Sequence, residues 1–286
     1  MSHPFLKLSF IVLVGFFISC DKPTEPTPKP EINKDFVFPI AVGNQWDYDL
    51  SESIVLVDSG TVNDPLLKDT TYFGTVNMEI DRSQIIQDSI NTFVFRQSTT
   101  ANDNTFITES YYNELDSGMY YYANWGGGPV LPKSDQNHKL VFNNRVFNHL
   151  SELKQYLLHP NSQFKSPVDS LNYKNPPLQY LKYPLETGSE WAYRNETPDL
   201  PFQFNKKIIA FENVTVPAGS YYCYKIQWIH DNFDNINGIL HYDYISEKGL
   251  VKSSFTIKGI LFTDMNGDTL GVYDIIDELV LTNTNL

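Results

Sequence analysis

Cysteine is almost absent from this chain of 286 residues, and basic residues are scarce. Of its two cysteines, Cys20 closes an N-terminal apolar run and Cys223 lies far downstream. No disulfide framework therefore holds the body together. Lys and Arg number 21 against 34 Asp and Glu. That balance excludes the clustered basic surface that nucleic-acid phosphates demand, and it leaves no polybasic face for docking on anionic lipid. Long apolar runs are missing as well: Leu8 to Ile18 is about eleven residues where about twenty are needed to span a bilayer. The chain also lacks a Gly-x-Ser-x-Gly elbow, a phosphate-binding Gly/Lys loop, a His-Glu-x-x-His helix and a Cys-x-x-Cys pair. The glycines of Trp125-Gly126-Gly127-Gly128-Pro129 lack the strand-to-helix context of a phosphate loop. No cofactor is expected, and the chain is not expected to be an enzyme.

What is present begins with an address. A leader carrying Lys7 precedes the apolar run, which ends in Phe17-Ile18-Ser19-Cys20. This layout resembles a bacterial lipoprotein signal peptide, with Phe17 where the common lipobox has Leu. The resemblance implies removal of residues 1–19 and a diacylglycerol thioether on Cys20. Residues 20–34 then hold Pro23, Pro26, Pro28 and Pro30 and almost nothing apolar. Such a segment favours extended polyproline II, a tether of roughly 40 Å at about 3 Å per residue. The expected place is the cell envelope, lipid-anchored, with the leaflet and the membrane left open.

The body is rich in aromatic residues, 14% of the chain, set in short alternating runs broken by Asn, Asp, Gly and Pro. That is strand-and-turn composition. One stretch has helical spacing instead: Val146, Leu150, Leu153 and Leu157 mark a face from about Asn144 to Leu158, bounded by Pro160. A motif recurs with identical spacing, Phe38-Pro39-Ile40-Ala41-Val42-Gly43-Asn44-Gln45-Trp46-Asp47-Tyr48 and Tyr183-Pro184-Leu185-Glu186-Thr187-Gly188-Ser189-Glu190-Trp191-Ala192-Tyr193. Tyr111 to Gly118 and Tyr242 to Gly249 repeat a second, looser pattern that reads as a hairpin. The fold class expected is mainly β: two related, antiparallel, curved-sheet halves resembling half-barrels, 35–140 and 180–286, joined by a helix and connector over 141–179.

These motifs resemble ones found in secreted and lipid-anchored proteins of Bacteroidota-like bacteria to which no activity is assigned. Val214-Thr215-Val216-Pro217-Ala218-Gly219-Ser220-Tyr221 and Gly249-Leu250-Val251-Lys252 extend the likeness through most of the second half. The resemblance implies a strongly curved antiparallel sheet, akin to the half-barrels of lipoprotein carriers, and no activity. Asp69-Thr70-Thr71, Asp88-Ser89-Ile90, Asp169-Ser170-Leu171 and Asp268-Thr269-Leu270 are similar to O-glycosylation sites of Bacteroidota envelopes, though Asp before Ser or Thr is also ordinary turn chemistry.

Three functional readings remain. The leading one is a binding or structural module for a protein or glycan partner, acting through exposed aromatics, with Trp125 and Tyr120 to Tyr122 the first candidates. A carrier of a hydrophobic small molecule is the second, in which Tyr222, Tyr224, Ile226 and Trp228 line a pocket. Cys223 then shares the opposite strand face with Lys225 and Gln227 as a packed residue. The third is an envelope hydrolase built on a His/Asp constellation. His230 and His241 flank a loop with Asp231 and Asp234, and Asp243 follows close behind, a nitrogen and oxygen set that also suits a metal ion. Asp264-Met265-Asn266-Gly267-Asp268 lacks the later Glu of a calcium loop and reads as a hairpin turn.

Overall fold

The computed structural model describes residues 35–59, 69–101, 104–126, 138–158, 171–195, 203–230 and 238–286. Fourteen strands form one antiparallel sheet. They are β1 (Gln45–Asp58), β2 (Thr70–Ile86), β3 (Ile90–Ala101), β4 (Asn104–Leu115), β5 (Gly118–Trp125), β6 (His138–Phe142), β7 (Arg145–Phe147), β8 (Asn172–Lys182), β9 (Glu190–Arg194), β10 (Phe204–Val216), β11 (Gly219–His230), β12 (Ile239–Ser246), β13 (Gly249–Asp264) and β14 (Thr269–Thr284). The main path runs β8-β5-β4-β3-β2-β1-β14-β13-β12-β11-β10-β9, with the small β6–β7 hairpin attached to β13. β1 to β5 and β9 to β14 each run consecutively along the path, β8 from the connector region caps the first run, and the long strands β1 and β14 join the two runs.

The sheet curls until its edge strands β8 and β9 lie side by side. Among the described residues no backbone ladder joins these two strands, and side chains bridge them instead. Trp191 Nε1 donates to the Gln179 carbonyl at 3.0 Å, Lys206 Nζ to the Tyr180 carbonyl at 3.1 Å, and Lys182 Nζ to the Glu190 carbonyl at 3.4 Å. Edge carbonyls of β8 that would otherwise template another strand are thereby satisfied.

The recurring motif folds the same way twice. Gly43 and Gly188 both adopt φ 94°, a value that L side chains reach only under strain. Gly43 N donates to the Ile80 carbonyl at 2.8 Å and Gly188 N to that of Ile208 at 2.7 Å. A bulge follows Ile80 on β2 and Ile208 on β10. The motif is therefore a corner that hooks the start of one strand to the next strand's bulge.

The interior holds the core. Trp46 and Tyr48 are both 1% exposed. The Trp46 indole stacks on Phe95 at 6.2 Å between centroids and donates to the Lys248 carbonyl at 2.5 Å, while Tyr48 Oη donates to that of Leu250 at 3.0 Å. These two bonds tie the first half's opening strand to the turn between β12 and β13. Phe36 and Phe38, preceding β1, join the same cluster.

The helical expectation needs a correction. The helix is α1, Leu150–Leu158, and the residues before it form β7. Asn143 and Asn144 have φ 50° and 58°, the left-handed pair of a tight hairpin turn. Val146 consequently sits in a strand and is 58% exposed. Glu152 caps the helix start by accepting from Asn148 N at 2.8 Å. Leu153 and Leu157 are fully buried against Leu140, Phe142 and Phe147, so the helix packs its apolar stripe onto the β6–β7 end of the sheet. No helix among the described residues is long and apolar enough to cross a membrane.

The approach of Trp46 to Gly249 makes a sharp test. A Cβ on Gly249, at φ 96°, would lie 2.8 Å from Trp46 Nε1, whereas one on Gly43 would meet nothing within 4 Å. Gly43→Ala should cost about 1–2 kcal/mol of backbone strain. Gly249→Ala should cost about 2–4 kcal/mol, because the hydrogen-bonded indole must also be displaced. Urea unfolding of both variants measures this, and equal losses would show that the indole is not held in place.

Candidate functional site

The most unusual chemistry inside the sheet surrounds Lys206. Its register partner on β11 is Trp228, so its side chain points into the lumen, and it is 0% exposed. The ammonium lies 3.7 Å from the Trp228 ring centroid, 3.9 Å from that of Tyr180 and 4.8 Å from that of Tyr193. Asp243 on β12 stands 4.0 Å away, accepting from Trp228 Nε1 at 2.7 Å and Ser253 Oγ at 2.8 Å. Burial pulls the Lys206 pKa down to about 7, with Asp243 opposing. Three ring faces, one carboxylate and the Tyr180 carbonyl surround the amine.

His241 continues the network, stacked on Trp228 at 4.5 Å with Nε2 3.8 Å from Asp243 Oδ1. His230 and His241 are 6.5 Å apart between ring centroids. Burial lowers both pKa values, His230 to about 3 and His241 to about 4, the first also feeling His241 and the second Lys206. Asp231 and Asp234 lie outside the described residues. Among the described residues no three His, Cys, Asp or Glu side chains converge as a metal site. Of the three carboxylates expected near the histidines, Asp243 is the one that stands beside His241.

The strand 221–228 fills rather than lines. Tyr224 and Ile226 are buried in the main core, Tyr224 against Phe36 at 5.6 Å and Phe211 at 4.7 Å. Trp228 is committed to Lys206, Asp243 and His241, and Tyr222 emerges at the rim, 41% exposed. A cavity of about 70 Å³ does exist, lined by Phe38, Trp46, Tyr48, Phe95, Tyr112 and Tyr180 among others, but by none of those four residues. Cys223 is fully buried, and desolvation with nearby Glu212 pushes its thiol up to about 12, which leaves it inert.

The other aromatic candidates divide by face. Tyr121 points inward, 5.2 Å from Tyr112. Trp125 and Tyr122 are half-buried on the outer face, at the margin of a separate cluster of Ile86, Val94, Tyr111 and Ala123. Beside that cluster Arg82 binds Glu109 in a two-pronged pair at 3.0 and 2.8 Å. Cys20 lies outside the described residues. Asp264 accepts from Asn266 N and Asp268 N, each at 2.8 Å, so it caps the turn between β13 and β14.

A second buried charge group closes the end near α1. Lys154 of the helix reaches Glu52 on β1 and lies 2.7 Å from Asp277 on β14. Burial pushes Asp277 up to about 6, with the Lys154 charge opposing.

A family model described as DUF3108-like matches residues 194–261, the stretch that carries Lys206, Trp228, His241 and Asp243. No curated protein matches the chain. Among solved structures, the chain is similar to a Bacteroides fragilis protein inferred to be exported, of YmcC-like fold. The identity is 10%, the TM-score 0.31, and the match covers 88% of this chain and 99% of that one. It is also similar to a protein of Parabacteroides distasonis inferred to be a lipoprotein, at 12% identity and TM-score 0.28, over 87% of this chain and 97% of that one.

The Lys206 environment predicts a pH signature. The amine holds its proton only to about 7 in the folded protein, against 10.5 for an ordinary lysine. The unfolded chain therefore binds more protons over that interval, and stability gains a component that rises with pH from about 7. In Lys206→Met this component is absent. Urea unfolding at pH 7, 8 and 9 should give a shallower slope for the variant. Parallel slopes would overturn the assignment.

Proposed function

We propose that this chain is a lipid-anchored, non-catalytic protein of the cell envelope whose β body binds a protein or glycan partner through its outer surface. The observation that carries the reading is the close packing of the interior among the described residues. A carrier of an apolar molecule needs an internal volume of about 300 Å³ or more. Here the residues expected to line such a volume pack on one another and on a buried ammonium, and the cavity beside them measures about 70 Å³. The outer face offers apolar contact instead. Trp125 and Tyr122 lie half-buried at the edge of the outer cluster, and Phe73 on β2 is 74% exposed. Aromatic side chains with a polar rim suit recognition of protein or sugar surfaces.

The hydrolase reading rests on His230 and His241, which are buried and packed on Phe204 and Trp228. Anchoring rests on the leader ending at Cys20 and on the proline-rich segment behind it.

Native mass spectrometry of the protein isolated from its own host should give the mass of the acylated chain with no further apolar molecule released on denaturation. A stoichiometric lipid or isoprenoid would revive the carrier reading. Cys20→Ser should move the protein from the membrane fraction to the soluble fraction, and continued membrane association of the variant would argue against the lipid anchor.

A further inference from the structure

Arg194 occupies a position that the fold does not require to be charged. It ends β9, where a bulge departs from regular pairing: Ala192 faces Asn205 and Arg194 faces Phe204, with Tyr193 extra between them. The bulge buries Tyr193 and Arg194 together, each only 9% exposed. In the recurring motif the matching residue of the first half is Asp49, which is exposed. The inward arginine is thus a departure from the shared pattern.

A guanidinium cannot shed its proton, and a buried charge without a partner costs several kcal/mol. Arg194 Nη1 is buried with no hydrogen-bond partner, and among the described residues no carboxylate lies within 4 Å of it. Its nearest ring, Phe204, is 5.7 Å away. Across the seam, the half-buried Lys174 of β8 adds a second cation, 5.6 Å from the Tyr121 ring. Desolvation first, and the Arg194 charge second, pull the Lys174 pKa down to about 8. The interior carboxylates are used elsewhere, Asp243 by Trp228 and Ser253, and Glu52 and Asp277 by Lys154.

We propose that Arg194 and Lys174, at the end of the β8–β9 seam, form a binding site for an oxyanion, and that the group it takes is the carboxylate or phosphate of a small ligand. The planar fork of Arg194 suits two oxygens of one anion. Lys174 supplies a second positive charge, and the rings of Phe204 and Tyr121 lie 5.7 Å from Arg194 and 5.6 Å from Lys174. The site is separate from the outer surface invoked above, so either assignment can fail alone.

The test titrates the full chain in mild detergent with benzoate, with its neutral analogue benzamide and with inorganic phosphate, following affinity by calorimetry and Tm by thermal unfolding. At least one anion should bind and raise Tm, while benzamide should not. Benzoate stronger than phosphate identifies an organic carboxylate as the source, and the reverse order identifies phosphate. Arg194→Gln should weaken anion affinity at least tenfold. Lys174→Gln should weaken it severalfold and abolish the decline in affinity as pH rises from 7 to 9. Without anion, Arg194→Gln should be at least as stable as the parent, since it removes an unpaired buried charge; a residue with a merely structural role would show the opposite. The proposal is overturned if neither anion binds, if benzamide binds as well as benzoate, or if Arg194→Gln leaves affinity unchanged.

Discussion

A single sheet that curls back on itself must fill its own lumen, and that constraint governs most of this structure. An eight-stranded barrel is just narrow enough for its inward side chains to meet, and the lumen widens as strands are added. Here the path holds twelve strands. Ordinary aliphatic residues would leave the centre empty, so the interior draws on the largest side chains available. Trp46, Tyr48, Tyr224 and Tyr273 are among the largest fully buried groups. Phe36 and Phe38, from the segment ahead of β1, are packed in from one end, and α1 covers the other. The high aromatic content is thus a matter of volume before it is one of recognition.

The same constraint explains why charges are found inside. Long side chains inside the sheet reach carboxylates on other elements: Lys206 of β10 approaches Asp243 two strands away on β12, and Lys154 of α1 reaches Glu52 on β1 and Asp277 on β14. Burial of such groups is tolerated only where their hydrogen-bonding and charge requirements are met. Lys206 meets them with a backbone carbonyl, three rings and Asp243, and Lys154 with Glu52 and Asp277. Arg194 stands apart because, among the described residues, its environment supplies rings and another cation and no carboxylate within 4 Å.

Closure also sets how the two halves differ. At one junction β1 and β14 form a long backbone ladder, interrupted by register shifts after Asp47 and Leu56. At the other, β8 and β9 meet through side-chain donors, and β9 is only five residues long. The donors are Trp191 of β9 and Lys206 of β10 toward β8, and Lys182 of β8 toward β9. The seam therefore depends on side-chain packing to a degree that the ladder does not.

By itself the sequence determined the class of the fold and its local corners. Period-two alternation specified the strands, and the Pro, Gly, Trp and Tyr spacing marked two equivalent corners because only glycine relaxes at φ 94°. The hairpins ending at Gly118 and Gly249 were legible for similar local reasons. Helical spacing misled at Val146, since the Asn143-Asn144 turn acts on backbone geometry that a periodicity count does not register. Which face of strand 221–228 met solvent, core or cavity depended on long-range packing: Tyr224 is covered by Phe36, far away in sequence. The partnership of Lys206 with Asp243, and the inward turn of Arg194 at a bulge, follow from register between strands. Only the tertiary structure sets that register, because a shift of one residue exchanges the two faces of a strand.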